Sequence, residues 1–404
     1  MLPQSNSVRP FVLTWLVYTF LFLPLAAGSW ISGGLYKTFD FRSIYAAATL
    51  ARTDPSHLYD LSSQKQVQDS LVGKSDQMIP FGHLALDALL YVPLSFLSYR
   101  NAYLAVFFCN AILIVLCFLA ARKEFSETIP LWQPRPGLVF FLFMPITIAV
   151  AQGQDSLLLL LILCLGWRLL RGSHEFAAGL VLACLLLKPH LALLVALFVA
   201  VRFGRRVAAG FAAGGAIIAA MCLPFWLHGG LGAWLGVLTN LTMVHGHSRA
   251  QELAEGIYPW AMPNLRGVCL LVFGKALSSH ALFAVVCIGS LALLLWGLVV
   301  VRKLSAPSAF AFSILITALV SYNLEPHDLA ILLLPMVLLG KEVTKAVALC
   351  RDAVLGLPVA LMILSPTRGA GFTLMAVPLL ATALVLGRGM AQHQVEINES
   401  QLEA

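Results

Sequence analysis

Charged side chains are scarce in this sequence. Aspartate, glutamate, lysine and arginine together supply 11% of its 404 residues, whereas a soluble globular domain has roughly 25%. Hydrophobic residues supply 60% and form repeated apolar runs, which short polar segments separate. This composition excludes an ordinary soluble domain. It predicts an all-α integral membrane protein, a polytopic helical bundle.

The sequence also lacks a basic arm and a Cys-x-x-Cys pair. Its formal net charge of +7 comes largely from lysines and arginines at the ends of apolar runs, a pattern typical of membrane topology. The eight cysteines lie mostly inside apolar runs, where they pack as small core residues. We therefore expect no nucleic-acid partner and no disulfide framework. His245-Gly246-His247 has no third ligand nearby, so we also expect no metal site.

The apolar runs predict twelve membrane spans with both termini inside, the first of them an uncleaved helix. The runs 81–98 and 264–278 are expected to enter the membrane only partly, from the outer face, with full crossings as the alternative. The twelve predicted spans are 11–28, 101–121, 137–151, 155–171, 175–188, 190–202, 206–225, 280–302, 307–323, 327–340, 344–364 and 368–388.

These spans predict one transmembrane domain over residues 1–390, followed by a disordered cytoplasmic tail at 391–404. The domain has large external loops at 29–100 and 226–279, and residues 61–71 of the first loop are expected to form an amphipathic helix on the membrane surface. Multi-pass insertion in the plasma (inner) membrane is the expected localisation, with membrane lipids as partners.

The polar segments between spans fall into two alternating sets. One set is plain and basic, as at Arg122-Lys123, Arg168 to Arg171 and Arg302-Lys303. Because basic loops stay in the cytoplasm, the other set is expected on the outer side. That set consists of Gln152-Gly153-Gln154-Asp155, Lys188-Pro189-His190, Asn264-Leu265-Arg266 and Glu325-Pro326-His327-Asp328.

Each polar cluster has a structural and a functional interpretation. Gln152 to Asp155 fits a tight turn with Asp155 as helix N-cap, yet its two glutamines suit sugar hydroxyls. Lys188 could extend to the membrane surface, or bind phosphate together with His190. Arg266, which follows Asn264, is either an exposed loop arginine or a phosphate ligand.

The cluster from Glu325 to Asp328 contains part of a helix start, because Pro326 suits the first helical position. His327 has no capping role, which favours a functional one. Several predicted spans are short of the roughly 20 residues that a bilayer crossing needs, and they stop at these clusters. Helices that end early are tolerated where their ends line an aqueous cavity. The pattern predicts a polar cavity that opens outward.

Asp40 stands just after the first apolar run, in the segment Phe39-Asp40-Phe41-Arg42-Ser43-Ile44-Tyr45. A carboxylate beside an arginine and aromatic residues at the water–lipid boundary lies where a lipid head group would lie. The alternative is a solvated loop acid without a role.

The order of these motifs resembles glycosyltransferase family 87. Asp-Phe-x-x-x-Tyr at Asp40, Gln-Gly-Gln at Gln152, Lys-Pro-His at Lys188, Asn-Leu-Arg-Gly at Asn264 and Pro-His-Asp at Pro326 together carry the resemblance, which runs from about Asp40 to Leu334. These are membrane enzymes of the GT-C superfamily, exemplified by polyprenol-phosphate-mannose-dependent alpha-mannosyltransferases. One departure is Ile79-Pro80-Phe81-Gly82, which replaces the family's frequent Tyr-Pro-Pro run and leaves the acceptor open.

The resemblance implies a GT-C-type fold and an inverting transfer of a hexose, expected to be mannose, from a lipid-linked donor to a glycolipid or glycan acceptor. Asp40 would be the general base and His327 a second catalytic residue, with no cofactor beyond the polyprenyl-phosphate donor. The expected substrate-binding residues are Tyr45, Gln152, Gln154, Asp155, Lys188, His190, Asn264, Arg266, Glu325 and Asp328. A polytopic secondary transporter is the alternative, although no internal repeat relates the two halves.

Overall fold

The computed structural model of the chain describes residues 40–74, 78–124, 143–242, 261–340, 345–364 and 370–388. Across these ranges every regular element is a helix. The predicted first span, the loop histidines His245 and His247, and the C-terminal tail lie outside the described residues.

The α-helices are numbered in chain order. They are α1 Phe41–Thr53, α2 Leu61–Val72, α3 Ala85–Tyr91, α4 Tyr99–Ala120, α5 Met144–Gln152, α6 Ser156–Arg171, α7 Glu175–Ala183, α8 Pro189–Phe203, α9 Arg205–Trp226, α10 Gly230–Thr242, α11 Leu265–Phe273, α12 Ser279–Val301, α13 Ala306–Val320, α14 Leu333–Leu338 and α15 Lys345–Leu364. Short 3₁₀ helices cover Pro55–His57, Val92–Phe96, Cys184–Leu187, Leu227–Gly229, Pro326–Leu332 and Ala370–Met375.

Four helices in the described part of the chain have the length and hydropathy to cross a bilayer. They are α4, α9, α12 and the stretch Gly371–Arg388. On α12, Ile288, Leu291 and Leu295 are each more than half exposed, as expected of a face that contacts lipid chains. These helices make the chain a membrane-type helical protein, and the count of twelve spans stays a prediction.

The two weak apolar runs form short helices. Helix α3 and the 3₁₀ turn after it reach only from Ala85 to Phe96, and α11 has 9 residues. A crossing needs about 20 residues, so neither is long enough by itself. Their lengths agree with partial insertion.

Helix α13 forms the centre of the core. All of its residues from Ser308 to Leu319 are buried, which explains why it is apolar on every side. It packs against α8 and α12 and, at its C-terminal end, against the segment Pro326–Leu332. Residues 326–328 are therefore held by the most buried part of the fold.

Three core helices place polar clusters at one end and basic residues at the other. Helix α6 begins beside Asp155 and ends at Arg171, and α8 begins beside Lys188 and ends next to Arg202. Helix α13 runs the opposite way in sequence, from Ser305 towards Ser321. Arg202 donates a hydrogen bond to the Leu304 carbonyl at 3.0 Å, which aligns the basic end of α8 with the start of α13.

The first external loop is more helical than expected. The sequence analysis gives it only the helix at 61–71, which the structure confirms as α2, whereas α1 was not predicted. The apolar spacing of Phe41, Ile44, Tyr45 and Ala48 is that of a helix face, and these residues pack together in a buried cluster. Asp40 is therefore the residue before a buried helix and not part of an irregular loop.

Helix α2 is held by polar side chains. Gln64 and Gln68 are its buried residues. Gln64 accepts a hydrogen bond from the Phe81 amide at 2.8 Å, and Gln68 accepts one from Ile79 at 3.1 Å. These hydrogen bonds hold the segment 79–81 against α2. Its predicted location on the membrane surface stays a prediction.

Helices α7 and α9 cross at glycines. A methyl group added at Gly210 would lie 2.0 Å from the Phe176 carbonyl oxygen, and one at Gly179 would lie 2.0 Å from the Val207 oxygen. Such a close backbone approach is typical of small residues at membrane helix interfaces. The crossing keeps α7 in position against the rest of the bundle.

We therefore expect Gly210→Ala to lower the free energy of unfolding by about 1–3 kcal/mol, because the crossing must open to accept the methyl group. Gly215→Ala is the matched control on the same helix, since its nearest neighbour, Leu186 Cδ1, is 3.6 Å away. The control is expected to be neutral or stabilising, as alanine is the better helix former. Equal denaturation midpoints in detergent for the two variants would contradict this packing.

Candidate active site

Four separate segments meet at one end of the helical core. They are the start of α1 at Asp40, the turn between α5 and α6, the residue Lys188 before α8, and the segment 325–328. Helix α5 packs against Pro326–Leu332, as does α6. The core thus brings together residues that the sequence separates widely.

An ion triad lies at the centre of this meeting point. The ammonium group of Lys188 is 3.0 Å from Asp155 Oδ1 and 2.5 Å from Asp328 Oδ1. All three residues are buried. A buried lysine between two carboxylates is anchored by charge-assisted hydrogen bonds, so the interpretation of Lys188 as a lysine that extends to the membrane surface is wrong.

Asp328 is fixed by further contacts. Its Oδ2 accepts a hydrogen bond from the Glu325 backbone amide at 3.1 Å, and its Oδ1 accepts one from Ser156 at 3.3 Å. The Glu325 contact belongs to the start of the 3₁₀ helix, which confirms that part of this cluster is helix-start chemistry. The same carboxylate therefore helps to cap the start of the 3₁₀ helix and also binds Lys188.

Asp40 lies beside the triad and is about a third exposed. Its Oδ2 accepts a hydrogen bond from the Gln154 amide at 2.9 Å and lies 3.8 Å from His327 Nδ1. The opposite ring nitrogen, His327 Nε2, is 3.5 Å from both Lys188 and Asp328. His327 thus connects the accessible carboxylate with the buried triad.

The turn between α5 and α6 depends on Gly153. Its φ of +67° is in the left-handed region, and a Cβ at this position would lie 3.0 Å from Phe41 Cβ. Only glycine suits both constraints. The turn can therefore lie directly against α1, which places Gln154 next to Asp40.

Asp155 does not act as an N-cap. It occupies the N-cap position of α6, but its side chain makes no capping hydrogen bond. The carboxylate contacts Lys188 instead. This corrects the turn interpretation from the sequence, because a buried ammonium group competes for the carboxylate more strongly than a backbone amide does.

Several buried polar atoms in the segments that meet here have no hydrogen-bond partner among the described residues. They include Gln152 Oε1, Gln154 Oε1, His190 Nε2 and His327 Nδ1. A buried acceptor or donor without a partner costs about 1–3 kcal/mol. Hydroxyl groups of a bound ligand would be suitable partners. The prediction that Gln152, Gln154 and His190 bind substrate is compatible with this arrangement and is not tested by it.

Arg266 and Asn264 form a neighbouring group. Asn264 caps α11 through the Gly267 amide at 3.0 Å and donates to the Ser321 carbonyl at 2.7 Å. Arg266 donates to Asn323 at 2.5 Å and stacks over the Tyr322 ring at 4.3 Å. Arg266 is buried, so it is not an exposed loop arginine. Asn264 has a structural role as a cap, whatever else it contacts.

Tyr45 points away from the carboxylate network. Its hydroxyl donates to the Leu97 carbonyl at 2.7 Å, and its ring packs against Phe41 and Tyr99. It supports the helix that carries Asp40. A direct substrate contact for Tyr45 stays a prediction.

Glu325 has an altered acidity. Burial, together with the neighbouring carboxylates Asp40 and Asp328, raises the pKa of its carboxyl group from 4.5 to about 8, against the opposing effect of Arg266. At neutral pH the group is therefore largely protonated and can donate a hydrogen bond.

The sequence analysis missed His83 and Ser156 and gave Asp87 no role. His83 Nδ1 lies 2.5 Å from Asp87 Oδ2, and the spacing of four residues could have indicated this pair. Their closeness to Asp155 could not be read from the sequence, because it depends on how α3 packs in the bundle.

One comparison with known proteins identifies a family. The family described as Glycosyltransferase family 87 matches residues 86–324, more than half of the chain. The match includes the turn at 152–155, Lys188 and Arg266, but it ends just before Glu325. No curated protein and no solved structure matches the chain.

The altered acidity of Glu325 predicts a dependence of stability on pH. Its folded pKa of about 8 lies above the ordinary value of 4.5, so an unfolded chain releases this proton earlier as pH rises. Stability is therefore lost between about pH 4.5 and pH 8 and levels off above that range. Glu325→Gln removes this loss. We expect its melting temperature to exceed that of the wild type by a margin that grows from pH 5 to pH 8.

Glu175→Gln, at the start of α7, is the control for loss of a glutamate. Melting curves of both variants in detergent over this pH range measure the effect. A constant difference between Glu325→Gln and the wild type would show that Glu325 is ionised throughout.

Proposed function

Because the chain belongs to glycosyltransferase family 87, it is a glycosyltransferase, and we propose that it transfers a hexose from a polyprenyl-phosphate donor. The expected sugar is mannose, and the acceptor is a hydroxyl group of a lipid or glycan. Family membership decides against the alternative of a secondary transporter. The proposal follows from the site: a partly exposed carboxylate beside buried cations and amides.

Asp40 is the proposed general base. Such a base must be reachable by substrate and must hold a fixed orientation. Asp40 meets both conditions, because it is partly exposed while Gln154 and His327 contact one of its oxygens at 2.9 Å and 3.8 Å. This geometry is the observation that carries the proposal.

The proposed step is a single displacement. Asp40 takes the proton of the acceptor hydroxyl while that oxygen forms a bond to the anomeric carbon. The bond from the anomeric carbon to the phosphate oxygen breaks, and polyprenyl phosphate leaves as an anion from the opposite face. The configuration of the sugar is therefore inverted. His327 lies close enough to Asp40 to orient it, and we propose no cofactor for this step.

Arg266 is the proposed main contact for the donor phosphate. Its planar guanidinium group suits phosphate oxygens, and the Tyr322 ring fixes its orientation. Lys188 and His190 remain candidates. Since two carboxylates already contact Lys188, we expect it to contribute more to the architecture of the site than to phosphate affinity.

The sugar is proposed to lie between Asp40 and Arg266. The amides of Gln152 and Gln154 can bind its hydroxyls, and protonated Glu325 can donate to one of them. Asp155 and Asp328 then act through Lys188. In this arrangement they position the site and do not touch the sugar.

We propose that the site faces the outside of the plasma membrane or the periplasm. Arg122, Lys123, Arg168 and Arg171 lie together at the far end of the core, and clusters of this charge remain cytoplasmic. Asp40 and its neighbours lie at the other end of the same helices. An outward-facing site suits a donor that is anchored in the membrane by its lipid.

Asp40→Asn tests the general base. The change keeps size and most hydrogen bonding but removes the proton acceptor, so we expect transfer to fall by about two to four powers of ten. Donor binding is expected to persist, because other residues hold the phosphate. The assay follows radiolabelled sugar from prenyl phosphate to lipid in membranes at matched protein levels.

Asp54→Asn is the matched control, because Asp54 flanks the other end of α1 and is exposed. It should transfer at the wild-type rate. Full activity of Asp40→Asn would mean that another carboxylate is the base, and Glu325 and Asp328 would be tested next.

Arg266→Lys tests the phosphate contact. Lysine keeps the charge but loses the planar fork and the stacking on Tyr322. We expect donor affinity to fall by about tenfold or more, with a smaller change in the melting temperature. Titration with prenyl-phosphate mannose measures this, and Arg202→Lys at the opposite end of the core is the control. An unchanged donor affinity would remove Arg266 from the phosphate site.

A further inference from the structure

Three side chains of types that can bind a metal ion lie together next to the ion triad, and one of them belongs to it. They are His83, just before α3, Asp87 on α3, and Asp155. One potential ligand atom from each residue lies within 4.8 Å of the others. His83 and Asp87 are already in contact through Nδ1 and Oδ2 at 2.5 Å. One imidazole and two carboxylates, which commonly bind metals, thus converge on one small volume.

The two carboxylates of this group have unused acceptor atoms deep in the protein. Asp87 is 0% and Asp155 1% exposed. Within the described ranges, Asp87 Oδ1 and Asp155 Oδ2 accept no hydrogen bond. Asp155 Oδ1 has the ammonium group of Lys188 at 3.0 Å. Buried carboxylate oxygens without a partner are costly, which indicates that a further positive group belongs here.

The local charge leads to the same conclusion. Asp87, Asp155 and Asp328 are three buried carboxylates, and Lys188 is the lysine that contacts two of them. Three carboxylates therefore share the ammonium group of Lys188 in this cluster, and a bound cation would supply further positive charge beside them.

We propose that His83, Asp87 and Asp155 bind a divalent transition-metal ion. One imidazole nitrogen and two carboxylate oxygens suit Zn²⁺ or Mn²⁺ better than Mg²⁺ or Ca²⁺, which favour oxygen ligands alone. Three protein ligands leave at least one coordination position for water. His83 is partly exposed, so the site has a route for the ion to enter.

The proposed role of the ion is to position the turn that carries Gln154 and Asp155. Asp155 directly follows Gln154, whose amide donates to Asp40. A cation bound by Asp87 and Asp155 joins α3 to this turn and so fixes the turn. In this role the ion takes no part in the proposed transfer. The inference does not depend on the identity of the donor or the acceptor.

The exposed pair His57 and Asp54 provides a matched control. Its Nδ1 and Oδ2 are 2.8 Å apart, but both side chains are about half exposed. The described part of the chain places no third ligand of this kind beside them. The same two residue types should therefore bind no ion tightly at that position.

Equilibrium dialysis against Zn²⁺ tests the site directly. The full chain is purified in detergent, treated with a chelator and dialysed, and bound zinc is counted by elemental mass spectrometry. We expect one tightly bound ion per chain. Asp87→Asn and His83→Ala should weaken zinc binding by at least about 10- to 100-fold, whereas Asp54→Asn and His57→Ala should not change it.

Wild type that retains no more zinc than Asp87→Asn would overturn the proposal, and so would an equal loss in the Asp54 and His57 controls. The first result would mean that a histidinium–aspartate pair fills this place. The outcome is independent of transfer activity, so it can fail while the glycosyltransferase proposal stands.

A second experiment, based on the absorption spectrum of bound Co²⁺, tests the site if Asp87→Asn does not fold. Co²⁺ is added to His83→Cys and, as control, to His57→Cys. A thiolate-to-cobalt charge-transfer band is expected only in the His83 variant. Only at that position can the new thiolate bind an ion together with two carboxylates, those of Asp87 and Asp155. Identical spectra for the two variants would contradict ligation at position 83.

Discussion

The ion triad of Lys188, Asp155 and Asp328 is the interaction on which the rest of the site depends. It joins three segments that are far apart in sequence and holds them where helices of the core begin. Removing one member of a buried ion group costs about 3–5 kcal/mol, because the remaining charge has no partner. Asp155 also fixes the turn that carries Gln154, and Asp328 adjoins His327. Through these two neighbours the buried triad determines where Asp40 lies.

The core separates two kinds of positive charge. At one end, Lys188 and Arg266 are buried and each contacts polar or acidic side chains. At the other end, Arg122, Lys123 and Arg168 lie near the surface of the bundle. A helix such as α6, with 16 residues, separates the two ends by about 24 Å. Only the first kind of charge lies near a partly exposed carboxylate, that of Asp40, which is why we propose the active site at that end.

The sequence predicts which residues belong to the site better than it predicts which of them contact one another. The polar clusters were recognised because each interrupts an apolar run, and the family resemblance indicated that Asp40 and His327 belong together.

The partners of Lys188 could not be read from the sequence, since any carboxylate in an outer cluster was an equal candidate. Asp155 was interpreted as a cap because capping is a local interaction, while its actual contact depends on the packing of α6 against the 3₁₀ helix Cys184–Leu187, which precedes Lys188. The closeness of His83 and Asp87 to Asp155 depends on packing in the same way, although their spacing of four residues could have indicated the pair itself. Helix α1 was missed because its small and polar residues conceal an apolar face.

A structure with a donor analogue bound tests the central claim most directly. Our account predicts that the phosphate of a prenyl-phosphate sugar lies beside Arg266, with the sugar hydroxyls at Gln152 and Gln154 and the anomeric carbon facing Asp40. The basic end of the core offers a simple alternative, because its arginines could also attract a phosphate. A donor analogue bound beside Arg168 and Arg171, with its sugar far from Asp40, would contradict the account.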